Sequence, residues 1–364
     1  MNRLLTLFIV GMIIVGASMV ILYVGKGTNH SQTETSTTPT EQFVLQHLLR
    51  QNGAIRTNFK DKDEGQIALS ESIGLWMEYL AEKEDAKLFK EAFHTIQDHF
   101  LSKDKLIVWK IDNGERAHTN ALIDDLRIIE ALFREGERTN HKKYISTAKA
   151  MSKGILKYNR QGDDFVDFYD HEYKYANDEL TLSYLIPGAF HYMEKYQLLS
   201  TESLKTIRTF MAEIPLNNDF YPKYYQVNEQ IFHYDDIVNL IDQLYIAIHI
   251  ERFGLTTDEL YEWLKAEFYK DHLLYGRYDG KTKERSVDYE AAAVYALAII
   301  YSLEKKDHTF AKDLYEQMIT MKVTDSDSIY FGGYVDVTNV STHSFDNLLP
   351  LLAERKLMNE QIIN

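Results

Sequence analysis

Residues 66–80 read QIALSESIGLWMEYL. Ile67, Leu69, Ile73, Trp76, Met77 and Leu80 recur at helical spacing and cover more than one face, which marks a helix buried on several sides. Ser70, Glu71 and Ser72 break that pattern, setting a carboxylate between two hydroxyls where apolar core should continue. A buried helix with an acid near its start is the unit to seek in the rest of the chain.

It recurs. ALIDDLRIIEALF (121–133), ELTLSYLIPGAFHYM (179–193), DIVNLIDQLYIAIHI (236–250), YEAAAVYALAIIYSL (289–303) and SFDNLLPLLAE (344–354) have the same apolar breadth. Between them lie DAKLFKEAFHTIQDHF (85–100), YISTAKAMSKGILKY (144–158), TESLKTIRTFMAEI (201–214), TTDELYEWLKAEF (256–268) and HTFAKDLYEQMITM (308–321), where Lys and Glu separate apolar positions and give each helix a wet face. With a leading EQFVLQHLLRQ (41–51), buried and half-wet helices alternate in about six pairs, as an inner ring wrapped by an outer ring requires. The expected fold is all-α, an (α/α)6 barrel.

Glu71, Asp125, Glu179, Asp235, Glu290 and Asp346 stand at the starts of the buried segments, spaced by about 55 residues, so one helical hairpin is the repeat and the acids share one rim. The linkers entering those helices hold aromatic and β-branched residues followed by turn formers, which predicts short strands or extended loops on the same rim. Trp109, Tyr169, Tyr173, Tyr175, Tyr221, Tyr224, Tyr225, Tyr278, Tyr330 and Tyr334 are expected to border the acidic cleft. Flat amphipathic rings beside carboxylates suit a sugar.

Composition bounds the rest. The chain has 364 residues, 45% of them hydrophobic, enough for one large core. Its net charge of −15 disfavours nucleic acid and anionic lipid as partners, and the absence of cysteine excludes disulfides, thiolate metal sites and a lipid-modified cysteine. Leu4–Val24 carry no charge and are long enough to span a bilayer. Arg3 and the amino terminus place the bulk of the chain outside by the positive-inside rule, while a cleaved signal peptide is the competing reading. The expected organisation is an anchor over 1–26, a polar linker over 27–41 and the helical domain over 42–364.

Any one acid at a helix start has a plain alternative role as a cap. Glu71 resists it, because the helix has already begun, and a carboxyl half-buried beside Trp76 would hold its proton as a general acid must. Asp124 and Asp125 point about 100° apart, so one of them faces the cavity. Asp125 has the repeat spacing, with an ion pair to Arg127 or Arg116 as its alternative. GRYDGKT (276–282) is one residue short of a phosphate loop, and HYDD from His233 lacks the histidine partner of a metal motif.

With those residues in view the chain resembles glycoside hydrolase family 8, in particular a divergent bacterial branch encoded with exopolysaccharide synthesis systems. ALSESIGLWM is similar to that family's S-E-G-Q-G-Y-G-M segment, which implies Glu71 as proton donor. IDDLRIIEALF resembles D-A-D-x-D-I-A-x-A-L and implies Asp125 as the aspartate that binds the sugar ring at the cleavage subsite. DYEAAAVYALA resembles Y-D-A-I-R-V and implies Glu290 as general base. Ser72 and Ile73 replace Gly and Gln, and an Ala replaces the Arg of the third segment, so Asp235 and Asp288 stay open as bases.

The resemblance implies inverting hydrolysis without cofactor or metal, cutting a secreted polysaccharide internally. Asp124, Trp109, Tyr175, Tyr234 and Tyr289 are the expected substrate contacts, the synthesis machinery is a candidate partner, and the protein is expected to be a membrane-tethered monomer outside the cytoplasm. A polysaccharide-binding protein without turnover is the alternative, and a lyase on the same toroid ranks below both.

Overall fold

The computed structural model describes residues 37–58 and 66–364. The anchor expected over Leu4–Val24 and most of the linker lie outside the described residues, and among these no helix is long and apolar enough to cross a membrane.

The helices are α1 (Pro39–Phe43, continued by a wider turn Val44–Leu48), α2 (Ser70–Lys83), α3 (Ala86–Thr95, continued by Ile96–Phe100), α4 (Leu122–Arg138), α5 (Lys142–Tyr158), α6 (Pro187–Lys195), α7 (Thr201–Ala212), α8 (Leu240–Arg252), α9 (Asp258–Asp271), α10 (Ala292–Glu304), α11 (His308–Met318) and α12 (Phe345–Asn359). A short 3-10 turn, Leu182–Tyr184, precedes α6. Along the inner ring α2, α4, α6, α8, α10 and α12 each pack on the next, and α12 returns to α2. Outside them α3, α5, α7 and α11 lie against the inner helix they follow, α1 lies against α12, and α9 meets α10 through Tyr261 and Tyr301. The N-terminal helix thus supplies the outer partner of the last inner one.

Burial follows the two classes of segment. On α10 every residue from Ala292 to Ser302 is buried, whereas α7 buries only Ile207 and Met211. Outer helices other than α9 are capped by side chains: Asp85 accepts from Leu88 N–H at 3.0 Å, Ser200 from Ser203 N–H at 3.0 Å and Asp307 from Phe310 N–H at 3.0 Å. The inner helices α2, α4, α10 and α12 begin at Leu69, Ala121, Ala291 and Ser344 without a side-chain cap. The acids of α2, α4 and α12 stand in the first turn and do not occupy the cap position of their own helices.

Short strands crowd that end of the ring. β1 (Ala68–Leu69), β2 (Lys110–Asp112) and β3 (Glu115–Arg116) form one antiparallel sheet, and β8 (Glu179–Thr181), β9 (Tyr224–Gln226) and β10 (Ile231–His233) another. The hairpins β4–β5 (Arg160–Gln161, Asp164–Phe165) and β6–β7 (Tyr169–Asp170, Tyr175–Ala176) and the pair β11–β12 (Ile237–Asn239, Arg277–Asp279) complete the rim. The last linker, 328–343, stays an extended loop: Gly332 sits at φ +84° against Pro39, where a Cβ would come within 2.2 Å of the Pro39 carbonyl, so the chain folds onto α1.

This pairing displaces two expected helix starts. Glu179 and Asp235 lie on or before strands, because 179–181 pair with 224–226 and 237–239 pair with 277–279, so α6 and α8 begin at Pro187 and Leu240. Three of the expected rim aromatics are core instead: Tyr221, Tyr278 and Tyr334 are buried, and Tyr334 Oη donates to Glu354 at 3.0 Å far along α12.

Candidate active site

The triplet at the start of α2 divides its work. Ser70 N–H donates to the Trp109 carbonyl at 2.9 Å, and Ser70 Oγ donates to Asp124 Oδ2 at 2.5 Å. Ser72 Oγ lies 2.9 Å from Ser344 Oγ, joining the first inner helix to the last. Both serines are sealed, while Glu71 between them keeps partial access to the mouth. Burial pushes the Glu71 carboxyl up to about 7, Asp124 adds to the push, Arg127 pulls against it, and Asp346 raises it further.

Asp124, in the first turn of α4, is the other half of the centre. Its Oδ1 accepts from Arg127 Nη1 at 3.0 Å and its Oδ2 from Ser70. Burial raises its proton affinity, and these two donors oppose that by favouring the carboxylate. Tyr184 stands over the group, with Asp167, Asp124, Asp242 and Glu71 adding to burial in keeping its phenol protonated. Asp242, in the first turn of α8, lies across the ring from α2; burial raises it, Lys223 lowers it, and Ser183 Oγ sits 3.4 Å away. Asp346 accepts from Ala293 N–H at 3.4 Å and is likewise raised by burial. Asp167 is pushed up to about 6 by burial, although Thr181 donates to it from both N–H and Oγ at 2.6 Å. The mouth thus gathers carboxyl groups that hold protons to unusually high pH.

The structure places the other expected residues elsewhere. Asp125 is fully buried and turned from the mouth, accepting from Ile107 N–H at 2.9 Å and Asn120 Nδ2 at 2.8 Å, so it fastens the 105–120 linker to α4, and Arg127 pairs with Asp124 instead. Glu290 accepts from Tyr295 Oη and from Gln317 Nε2 at 3.2 Å, facing its own helix and α11. Asp288 is exposed and 3.6 Å from Arg285. Asp235 lies on the rim turn, 3.4 Å from Lys223, and close enough to Asp242 to raise it. Trp109 clasps Ser70 through its backbone and leaves its indole 40% exposed, while Tyr175 on β7 and Tyr289 before α10 are 50% and 52% exposed. Tyr234 is exposed beside Asp235, its Oη donating to the Pro215 carbonyl at 2.9 Å.

Asp242 and Tyr184 join the group without standing at the repeat spacing of the other acids. A signal existed for Asp242: Asn239 is a cap residue, with Ile241 N–H donating to its side chain at 3.1 Å, and an acid three residues after the cap repeats the Ala121-to-Asp124 spacing of α4. Among the described residues no three His, Asp or Glu side chains come together as metal ligands. A carboxyl that keeps its proton to about pH 7 can donate it to a leaving oxygen, while a second carboxyl group of the same mouth activates water.

No family model matches the chain. It is 40% identical over 342 residues, covering 93% of this chain and 92% of the relative, to YdaJ of Bacillus subtilis (strain 168), named as a candidate lipoprotein. Among solved structures it is similar to a protein described as a novel α-amylase from Clostridium perfringens (TM-score 0.82, 25% identity, 89% of this chain and 99% of that one). PssZ from Listeria monocytogenes follows (TM-score 0.71, 28% identity, 88% and 96%). The endoglucanase Cel10 of Klebsiella pneumoniae, a family 8 glycosyl hydrolase, shares the fold at TM-score 0.62 and 14% identity over 88% and 99%.

Proposed function

We propose that this chain, which belongs to the family of YdaJ and to a divergent branch of glycoside hydrolase family 8, hydrolyses internal bonds of a polysaccharide with Glu71 as the general acid. The observation that carries the reading is Glu71 itself: a carboxyl held near pH 7 at the floor of the mouth, between two sealed serines, beside an aspartate fixed by Ser70 and Arg127. A general acid needs a proton at the working pH and access to the substrate; the raised carboxyl of Glu71 and its partial exposure between two buried serines support that role.

Asp124 takes the part of the sugar-binding aspartate, in place of Asp125. For the base we favour Asp242. Inversion needs the second carboxylate about 6.5 to 9.5 Å from the first and on the opposite face of the sugar, with water between. α8 is the inner helix opposite α2 in the ring, and Asp242 shares Tyr184 as a neighbour with Glu71. Asp346, on the helix adjoining α2, and Asp235, paired to Lys223, are further candidates on the rim. Trp109, Tyr175, Tyr234 and Tyr289 offer exposed ring faces for the flanking sugars of a chain.

The relatives split between an α-amylase and β-1,4-glucanases, so the substrate class is proposed from the exopolysaccharide-associated branch and not from their bonds. An extracytoplasmic location accords with a relative named as a lipoprotein. This chain has no cysteine to acylate, so its own attachment rests on the apolar segment Leu4–Val24.

Reducing ends released from exopolysaccharide of the source organism, from soluble starch and from hydroxyethyl cellulose, by wild type beside Glu71→Gln, test the reading. Activity that disappears in the variant supports it; equal activity in both overturns it. Glu290, turned onto Tyr295 and Gln317, favours a second reading, a glycan-binding protein without turnover. That reading predicts retention of glycan by both proteins and no products.

A further inference from the structure

Behind the acid pair the ring is hollow. A cavity of about 260 Å3 runs between the inner helices, and Glu78, Arg127, Tyr245 and Arg252 are among its walls. Arg127 is the partition between this cavity and the mouth. Its guanidinium is 3.0 Å from Asp124 on one side, while its Nε lies 3.7 Å from Glu78 and its Nη2 donates to Tyr245 Oη at 3.4 Å on the other. It is 4% exposed. Its stem crosses α2 at Gly74, where a Cβ would come within 3.3 Å of Arg127 Cδ. Glu71 and Glu78 stand two turns apart on nearly the same face of α2, one toward each chamber.

We propose that Glu78, which faces the hollow end and touches no substrate, is a positioning residue of the acid site: it holds Arg127 from behind, Arg127 holds the Asp124 carboxyl, and the transferable proton is left on Glu71. The proposal rests on the reading of Glu71 as proton donor. Every group facing the two glutamates enters the balance. Glu71 meets Asp124 and Arg127 from α4, Asp346 from α12, Tyr184 before α6 and Tyr245 from α8. Glu78 meets Arg127, Glu130 and Arg134 from α4, and Tyr245 and Arg252 from α8. His249 of α8, Lys356 of α12 and Glu304 of α10 complete the charged and titratable wall.

The sign follows from Coulomb attraction. The Glu78 charge offsets part of the Arg127 charge, so removing it exposes Glu71 to more of the cation, and Glu71 releases its proton at lower pH. A positive charge at position 78 exaggerates the effect.

Because the chain has no cysteine, Glu78→Cys carries a single thiol that can be given either sign of charge. The full chain bearing a sulfonate-ethyl adduct is compared with the same chain bearing an ammonium-ethyl adduct. Two readouts are taken. One is the infrared band of the protonated Glu71 carboxyl, assigned by its loss in Glu71→Gln and titrated without substrate. The other is the alkaline limb of kcat/KM on whichever of the three glycans is cut. The ammonium adduct is expected to move both to lower pH by about half a pH unit or more, and the sulfonate to return them toward wild type.

Identical titrations in the two adducts overturn the proposal, since a merely structural glutamate would respond to size and not to sign. If Glu78→Cys does not fold, Glu78→Gln read by the same band decides, with an unshifted band overturning the proposal. Activity that survives in Glu71→Gln overturns the donor reading itself. A Glu71-dependent activity indifferent to the charge at 78 overturns only this inference.

Discussion

Ser70 and Asp124, 54 residues apart in sequence, are joined by a hydroxyl-to-carboxylate bond of 2.5 Å that ties the first inner helix to the second beside the proton donor. Ser70→Ala leaves a buried carboxylate short of one donor, at a cost of about 1–3 kcal/mol. It also raises the proton affinity of Asp124, which then competes with Glu71 for one proton. Glycan hydrolysis should fall by about tenfold to a hundredfold as Asp124 shifts. Urea unfolding and kcat measured on the same preparation check both; a stable, fully active variant would show that the bond positions nothing.

Glu71 stabilises the protein only while protonated. Its carboxyl is held at about 7 against an ordinary 4.5, so between those values the folded chain binds a proton that the unfolded chain has released. Stability therefore falls as pH rises through that window, by up to about 3 kcal/mol. Glu71→Gln should be inactive and yet melt higher than wild type at about pH 8, with the difference shrinking toward about pH 4.5. The wild type's activity should fall as pH rises through about 7, when the acid loses its proton. A variant that melts lower than wild type at the higher pH contradicts the placement of Glu71.

Adjacent aspartates on α4 should behave oppositely. Asp125 holds Ile107 N–H and Asn120 Nδ2 in a fully buried bond set, so Asp125→Ala strands two donors and should cost about 2–4 kcal/mol, leaving KM of the folded fraction near wild type. Asp124→Asn keeps the shape, loses the charge that Arg127 and Ser70 serve, and should remove activity at a smaller cost in stability. Thermal melts beside kinetics for the two variants decide which aspartate belongs to the mouth; loss of activity without destabilisation in Asp125→Ala would reverse the assignment.

The ring is legible in the sequence because burial on several faces and burial on one leave different apolar patterns, and α10 and α7 are the clearest pair. Glu71 is legible for the same reason: an acid inside an apolar pattern is expensive unless it has work to do. The register of the other acids is not. Asp124 and Asp125 differ by one helical step, and which of them faces the axis depends on where Ala121 lets α4 begin. Asp235 has the repeat spacing, but the pairing of Ile237–Asn239 with Arg277–Asp279 delays α8 and brings Asp242 to the first turn. Strand pairing is set by contacts between distant segments, which local pattern does not carry. Tyr278 and Tyr334 were expected on the rim for the same cause, since aromatic residues in a linker serve a core as readily as a cleft.

The base remains the sharpest question for mutagenesis. If Asp242 activates water across the ring from Glu71, Asp242→Asn should lower kcat by about a hundredfold to ten-thousandfold, while the substrate still binds. Asp235→Asn should fall far less, because Asp235 sits on the rim turn against Lys223 and acts on Asp242 only through its charge. Azide supplied to Asp242→Ala, on an activated glycosyl fluoride of whichever configuration the enzyme accepts, can take the place of the water, and the product should be the glycosyl azide of inverted configuration. Formation of that azide in Asp346→Ala and not in Asp242→Ala would move the base to α12, next to the donor and not opposite it.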